Sequence, residues 1–199
     1  MLAIYIGSFN PITKAHLAIA EASLAYARKC VFVPVSDLYA KESLKVKAED
    51  RLNMIKCAIH DEPLFEVNDL EIKIAKETGH QNKTLETLRM LKEFYHEDLA
   101  FIIGADNLLQ IKTWYHYQEL LKEFQVIVIS RNQTLVSEII NEDSELKVLL
   151  SSAVLLDDIT IDISSKMVRT AVANHQSIEE YVTQTVKKYI EIHELYGGN

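Results

Sequence analysis

The stretch Leu2-Ala3-Ile4-Tyr5-Ile6-Gly7-Ser8-Phe9-Asn10-Pro11-Ile12-Thr13-Lys14-Ala15-His16-Leu17 reads as a strand, a tight turn and the start of a helix. The apolar run Leu2 to Ile6 supplies the strand. Gly7 can take backbone angles that a Cβ forbids, and Pro11 removes an amide donor before the helix, so the backbone there can pass close to a ligand. Thr13 and His16 stand three residues apart in the first helical turn and can face one crevice. Helix amides and the helix dipole favour an anion at such a place, and the pattern points to a phosphate site. Taken alone, the same residues also suit a plain strand-helix turn in which Thr13 caps the helix and His16 packs.

Further along, short apolar runs alternate with segments of helical period, the pattern of a parallel sheet wrapped by helices. The spacing predicts strands at Leu2 to Ile6, Cys30 to Val35, Phe65 to Val67, Ala100 to Ile103 and Val126 to Ile129, with a sixth near Ile159 to Ile161. Helices are predicted at Lys14 to Arg28, Ala48 to His60, Thr84 to His96, Tyr117 to Lys122, Ser165 to Asn174 and Thr183 to Tyr196. The fold class is α/β, a Rossmann-like doubly wound parallel sheet of five to six strands flanked by helices. No repeat and no Pro/Gly/Ser-rich linker divides the chain, so residues 1–199 are expected to form a single domain, with a C-terminal helical portion over about 163–199.

Composition narrows the class. With 48% hydrophobic and 25% charged residues among 199, the chain suits a globular enzyme and carries no disordered tract. No apolar run approaches the roughly 18 to 20 residues that cross a bilayer, and the first residues form a strand and not a basic leader, so a cytoplasmic protein without membrane attachment is expected. The net charge of -8 argues against a broad nucleic-acid surface while leaving local cations to hold a nucleotide. Cys30 and Cys57 form no Cys-x-x-Cys pair and are expected to be reduced thiols, with no protein metal site. The sequence leaves room for a homo-oligomer.

A second anchor lies at Asp162-Ile163-Ser164-Ser165-Lys166-Met167-Val168-Arg169-Thr170. Ser164 suits an N-cap, and Arg169, five residues on, offers a planar fork of donors for phosphate oxygens beside the amides of a helix start. A capped, solvated helix would fit this segment equally well on its own.

Together the two motifs resemble the signatures of the nucleotidyltransferase superfamily, as found in nicotinate and nicotinamide mononucleotide adenylyltransferases. The first resembles a Gly-x-Phe-Asn/Asp-Pro turn followed by a His/Thr-x-Gly-His helix start, with Thr13 in place of a common histidine and Ala15 in place of glycine. The second is similar to Ile-Ser-Ser-Thr-x-x-Arg, with Lys166 in place of threonine. The resemblance implies nucleotide binding by Gly7, Ser8, Phe9 and Asn10 and by Ser164 and Ser165. It assigns the catalytic phosphate contacts to His16, Arg169, Thr13 and Lys41, the last within Asp37-Leu38-Tyr39-Ala40-Lys41. Asp37, Tyr39 and Thr13 lean toward the nicotinamide type, because the bacterial nicotinate type usually carries Pro-His-Lys there.

Between the anchors, Asn82-Lys83-Thr84-Leu85-Glu86-Thr87-Leu88 is similar to a Ser-Tyr-Thr-x-Asp-Thr-Leu pattern, which gives Thr84 a substrate role, although a helix cap would explain it as well. Phe101-Ile102-Ile103-Gly104-Ala105-Asp106 matches a Gly-x-Asp that holds adenosine, placing Gly104 and Asp106 at the nucleoside. Trp114, the only tryptophan, falls where the family stacks an indole on the pyridine ring, and Arg131 falls at a further nucleotide contact.

The resemblance implies adenylyl transfer from ATP to the 5′-phosphate of nicotinate or nicotinamide mononucleotide, with Mg2+ held mainly by the ATP phosphates. Three alternatives stay open: another acceptor on the same fold, such as phosphopantetheine or a cytidylyltransferase-like substrate; a nucleotide-binding regulator without turnover; and an α/β interaction module that binds no nucleotide.

Overall fold

The structure is a computed structural model, and it describes residues 1–39, 46–130, 136–156 and 162–197. Among them run six strands: β1 (Leu2–Gly7), β2 (Cys30–Pro34), β3 (Phe65–Val67), β4 (Leu99–Gly104), β5 (Gln125–Ile129) and β6 (Val154–Leu156). Ten helices accompany them: α1 (Lys14–Ser23), α2 (Ala48–Ala58), α3 (Leu70–Thr78), α4 (Thr84–Tyr95), α5 (Ala105–Leu108), α6 (Tyr117–Glu123), α7 (Val136–Glu142), α8 (Ser144–Leu149), α9 (Ser165–Ala173) and α10 (Gln184–Ile192). The strands form one parallel sheet in the order β3-β2-β1-β4-β5-β6, the doubly wound Rossmann-like arrangement expected. All five residues of β2 are buried, as a parallel strand covered on both faces requires.

Two compact units share the chain, each discontinuous in sequence. The first holds Met1–Ile6, Ile19–Val31 and Asn82–Thr160. In it Leu2, Ala3 and Ile4 of β1 pair with Leu99, Ala100 and Phe101 of β4, which in turn pairs with β5 and β5 with β6. α4 buries Leu85, Leu88 and Leu91 at helical spacing and exposes Glu86 and Arg89. Cys30 is buried and Cys57, in the second unit, half-buried; both are free thiols.

The second unit holds Gly7–Ala18, Phe32–Gln81 and Ile161–Asn199. Its core carries a row of edge-on rings: Phe9 lies 5.5 Å from Phe32, and Phe32 lies 5.8 Å from Phe65. Ile12, Met54, Ile55, Val182 and Val186 pack in the same unit with almost no exposure.

Several boundaries differ from the sequence expectation. α1 stops at Ser23 and not Arg28. The Ser23 hydroxyl donates back to the Ala20 carbonyl at 2.6 Å, and the next amides bond three residues back, Leu24 to Glu21 and Ala25 to Ala22. α10 ends at Ile192 and not Tyr196, because Glu194 and Tyr196 take left-handed angles of 50° and 65°. α3, α7, α8 and β6 were not anticipated. α8 begins where the Asp143 carboxylate accepts the amides of Glu145 and Leu146, both at 3.1 Å. The sixth strand expected near Ile159 to Ile161 lies outside the described residues.

Candidate active site

The residues of both sequence anchors meet within the second unit. Ser165 Oγ donates to the Pro11 carbonyl at 2.8 Å, and Arg169 Nη1 donates to the Asn10 carbonyl at 2.7 Å. The start of α9 is thereby fastened to the turn that follows β1. Ser164 caps α9, its hydroxyl accepting the Met167 amide at 3.3 Å. Both serines thus carry structural bonds, one across to the turn and one within α9.

Gly7 serves a purpose other than unusual backbone angles. It is absent from the residues with positive φ; the left-handed member of this turn is Phe9, at 42°. A Cβ at Gly7 would stand 2.9 Å from Cζ of the Phe9 ring, which folds back over it and is 1% exposed. Close approach is the constraint there. The same ring meets the His16 imidazole edge-on, with centroids 5.3 Å apart.

Thr13 is buried and spends its polar atoms on His16: its amide donates to Nδ1 at 3.0 Å, and its hydroxyl lies 2.8 Å from the same nitrogen. An amide donor aimed at Nδ1 makes that nitrogen an acceptor, so the neutral ring carries its proton on Nε2. The Lys14 amide is also engaged, donating to the Tyr181 carbonyl at 2.8 Å. The helix start is therefore a locked scaffold that presents one imidazole, where the sequence suggested a row of open amides.

Arg51 of α2 is the keystone of the turn. It is wholly buried on α2 and donates to three carbonyls: Ser8 at 2.7 Å, Val35 at 2.8 Å and Val46 at 3.3 Å. It also pairs with the Asp37 carboxylate at 3.3 Å. Burial lowers the guanidinium pKa, and the hydrogen bond and charge of Asp37 oppose that shift. Asp37 further accepts the Ala48 amide at 2.6 Å, which anchors the start of α2. Asp37 thus has an architectural role. An arginine directly after the acidic pair Glu49 and Asp50 is the only trace of the keystone role in the sequence.

The other expected residues belong to the first unit. Gly104 ends β4 and caps α5, and a Cβ built on it would meet nothing within 4 Å. Asp106 is exposed in the first turn of α5, and Trp114 is half-buried after a short 3-10 turn at Ile111–Thr113. Thr84 opens α4, but its cap comes from elsewhere: the Glu86 carboxylate accepts the Lys83 amide at 2.8 Å. Lys41 and Arg131 lie outside the described residues.

Comparison with known proteins now places the chain. Residues 4–171 match the family described as cytidylyltransferase-like. A probable nicotinate-nucleotide adenylyltransferase of Dehalococcoides mccartyi is 35% identical over 96% of this chain and 94% of its own length. One from Caldicellulosiruptor saccharolyticus is 36% identical over 98% of both. The chain belongs to the nicotinate-nucleotide adenylyltransferase family. The family's fold is recovered independently: the Plasmodium falciparum nicotinic acid mononucleotide adenylyltransferase complexed with NaAD superposes with a TM-score of 0.79 at 22% identity, covering 98% of this chain and 96% of that one. The same Plasmodium protein complexed with APC gives 0.76 at 21% identity over the same shares.

Proposed function

We propose that this family member transfers the AMP moiety of ATP to the 5′-phosphate of nicotinate mononucleotide, releasing pyrophosphate and forming deamido-NAD. The observation that carries the reading is the pair of bonds from Ser165 and Arg169 to Pro11 and Asn10, which joins two phosphate-type motifs into one cradle. The nicotinate-nucleotide names of relatives matching nearly the whole chain favour the acid over the amide.

In this reaction an oxygen of the acceptor phosphate attacks the α-phosphorus of ATP, the bond from that phosphorus to the β-phosphate oxygen breaks, and the electron pair leaves with pyrophosphate. The acceptor is ionised near neutral pH, so no covalent nucleophile or general base is needed; alignment and charge stabilisation are. The His16 Nε2–H and the remaining guanidinium donors of Arg169 serve the α-phosphate and the leaving group. Thr13 orients the imidazole. Gly7, Ser8, Phe9, Asn10, Ser164 and Ser165 shape the cradle, and Lys41 and Arg131 contribute further cations. Gly104, Asp106, Trp114 and Thr84 hold the nucleosides and the pyridine ring.

Magnesium accompanies ATP in such transfers and neutralises charge on its phosphates. The cradle residues are hydroxyls, an imidazole, a guanidinium and amides, a set that suits phosphate oxygens and lacks the carboxylates Mg2+ prefers. Among the described residues no three His, Cys, Asp or Glu side chains are grouped to hold a metal. The ion is therefore proposed to travel on the ATP phosphates, and no step of the account passes through it. We place the activity on one domain of residues 1–199, in the cytoplasm. No helix of the described residues is long and apolar enough to cross a membrane.

Mass spectrometry of a reaction with ATP, Mg2+ and nicotinate mononucleotide tests the proposal. Deamido-NAD and pyrophosphate in equal amounts are expected. Adenylylation of phosphopantetheine alone, or ATP binding without any product, would replace it with one of the alternative readings.

A further inference from the structure

We propose that Tyr196, almost at the end of the chain, is a positioning residue for the phosphate cradle, setting the orientation of Asn10 and, through Asn10, the seat of Arg169. This rests on the adenylyltransferase reading of the same cradle. Asn10 is 2% exposed and receives two donors from different elements: the Tyr196 phenol donates to its side-chain Oδ1 at 2.7 Å, and Arg169 donates to its backbone carbonyl at 2.7 Å. A phenol on Oδ1 fixes which way the amide faces, so its nitrogen turns to the opposite side. Loss of the phenol removes that hold on Oδ1, on the same residue whose carbonyl seats the Arg169 guanidinium.

The path of the backbone supports a purpose for this contact. After α10 the chain passes through two left-handed residues with side chains, Glu194 at 50° and Tyr196 at 65°. Such angles are unfavourable for residues with a Cβ and persist where surrounding contacts hold them. The Leu195 amide closes the hook on the Ile190 carbonyl at 3.0 Å. The base of the hook is fixed in turn: the Tyr189 phenol donates to Asp50 of α2 at 3.0 Å and accepts from Asn53 at 3.2 Å, and Thr185 donates to the Cys57 carbonyl at 2.8 Å. The next residue of α2 after Asp50 is Arg51, which holds the Ser8 carbonyl. One end of the turn is thus held by α2 and the other by the C-terminal hook. Burial pushes the Tyr196 phenol pKa up, and the charges of Arg169 and Arg51 oppose that shift.

Tyr196→Phe removes the hydroxyl and keeps the ring. In the ligand-free protein its NMR spectrum is expected to show a displaced Asn10 side-chain amide resonance with the wild-type melting temperature. Turnover with ATP and nicotinate mononucleotide should fall about tenfold, the scale of one hydrogen bond, while the KM for ATP moves less than about twofold. In an Asn10→Ala background the same substitution should change nothing further, since its effect passes through Asn10. An unmoved Asn10 resonance, or losses that multiply in the double variant, or a matching fall in melting temperature that Asn10→Ala does not absorb, would make Tyr196 a packing residue and overturn the proposal. A displaced resonance in a wild-type enzyme that ignores pyridine mononucleotides would sink the functional reading and leave the contact standing.

Discussion

His16 shows how little of a side chain's role is contained in its own identity. The Thr13 amide at 3.0 Å and the Phe9 ring at 5.3 Å decide its tautomer and tilt, so the donor it presents is the Nε2–H. If that donor acts on charge that develops during transfer, His16→Ala lowers kcat by about 100-fold or more while the ATP Kd moves only a few-fold. Equal losses in both, read by steady-state kinetics and calorimetry, would remove its transition-state role. Gly104 and Gly7 make opposite predictions. A methyl on Gly104 meets no protein atom within 4 Å, so Gly104→Ala keeps the melting temperature and weakens nucleotide binding by roughly tenfold, as a misplaced methyl in a pocket does. A methyl on Gly7 strikes the Phe9 ring at 2.9 Å, and Gly7→Ala costs about 1–3 kcal/mol of stability. The need for glycine at position 7 was legible in the sequence; the cause was not, because it lies in a ring folded back from two residues away.

Among the elements, α2 joins what the chain order keeps apart. Arg51 satisfies carbonyls at Ser8, Val35 and Val46, and Arg51→Met takes that donor from all three, two of them buried. That substitution is expected to cost about 3 kcal/mol, a fall of about 8 °C in melting temperature by calorimetry for a chain of this size. A fall of a degree or two would mean that the turn holds itself. The strands were the most legible elements, since β2, β4 and β5 are nearly continuous buried apolar runs. α3 and α8 are each ordered by a polar side chain at their start, which apolar periodicity does not display. The Asn68 carboxamide accepts the Leu70 amide at 2.9 Å, and Asp143 caps α8. The Ser164–Arg169 helix was legible as a motif, yet its bonds to Asn10 and Pro11 join residues more than 150 positions apart, which no local pattern reveals.

At the scale of the molecule, the surface of the first unit carries an acid-sensitive pattern. Arg28, with the chain's amino terminus, holds the Glu97 carboxyl down to about 2 from 4.5, and Lys112, His116 with Arg89, and Gln118 with Lys112 lower Asp143, Glu119 and Glu145. A carboxyl whose folded value is depressed adds stability above its ordinary range and loses it as pH falls toward the folded value. The melting temperature is therefore expected to drop between pH 4.5 and about 2, and Glu97→Gln to flatten that drop; an unchanged profile in the variant would show that other groups govern acid unfolding. The described residues otherwise conform to one plan: a doubly wound sheet whose first turn is gripped by α2, α9 and the C-terminal hook. The most direct test is pyrophosphate release from ATP and Mg2+, measured as kcat/KM with nicotinate mononucleotide and nicotinamide mononucleotide in parallel. The account predicts release with nicotinate mononucleotide and a clear preference for it over nicotinamide mononucleotide; silence with both acceptors would contradict it.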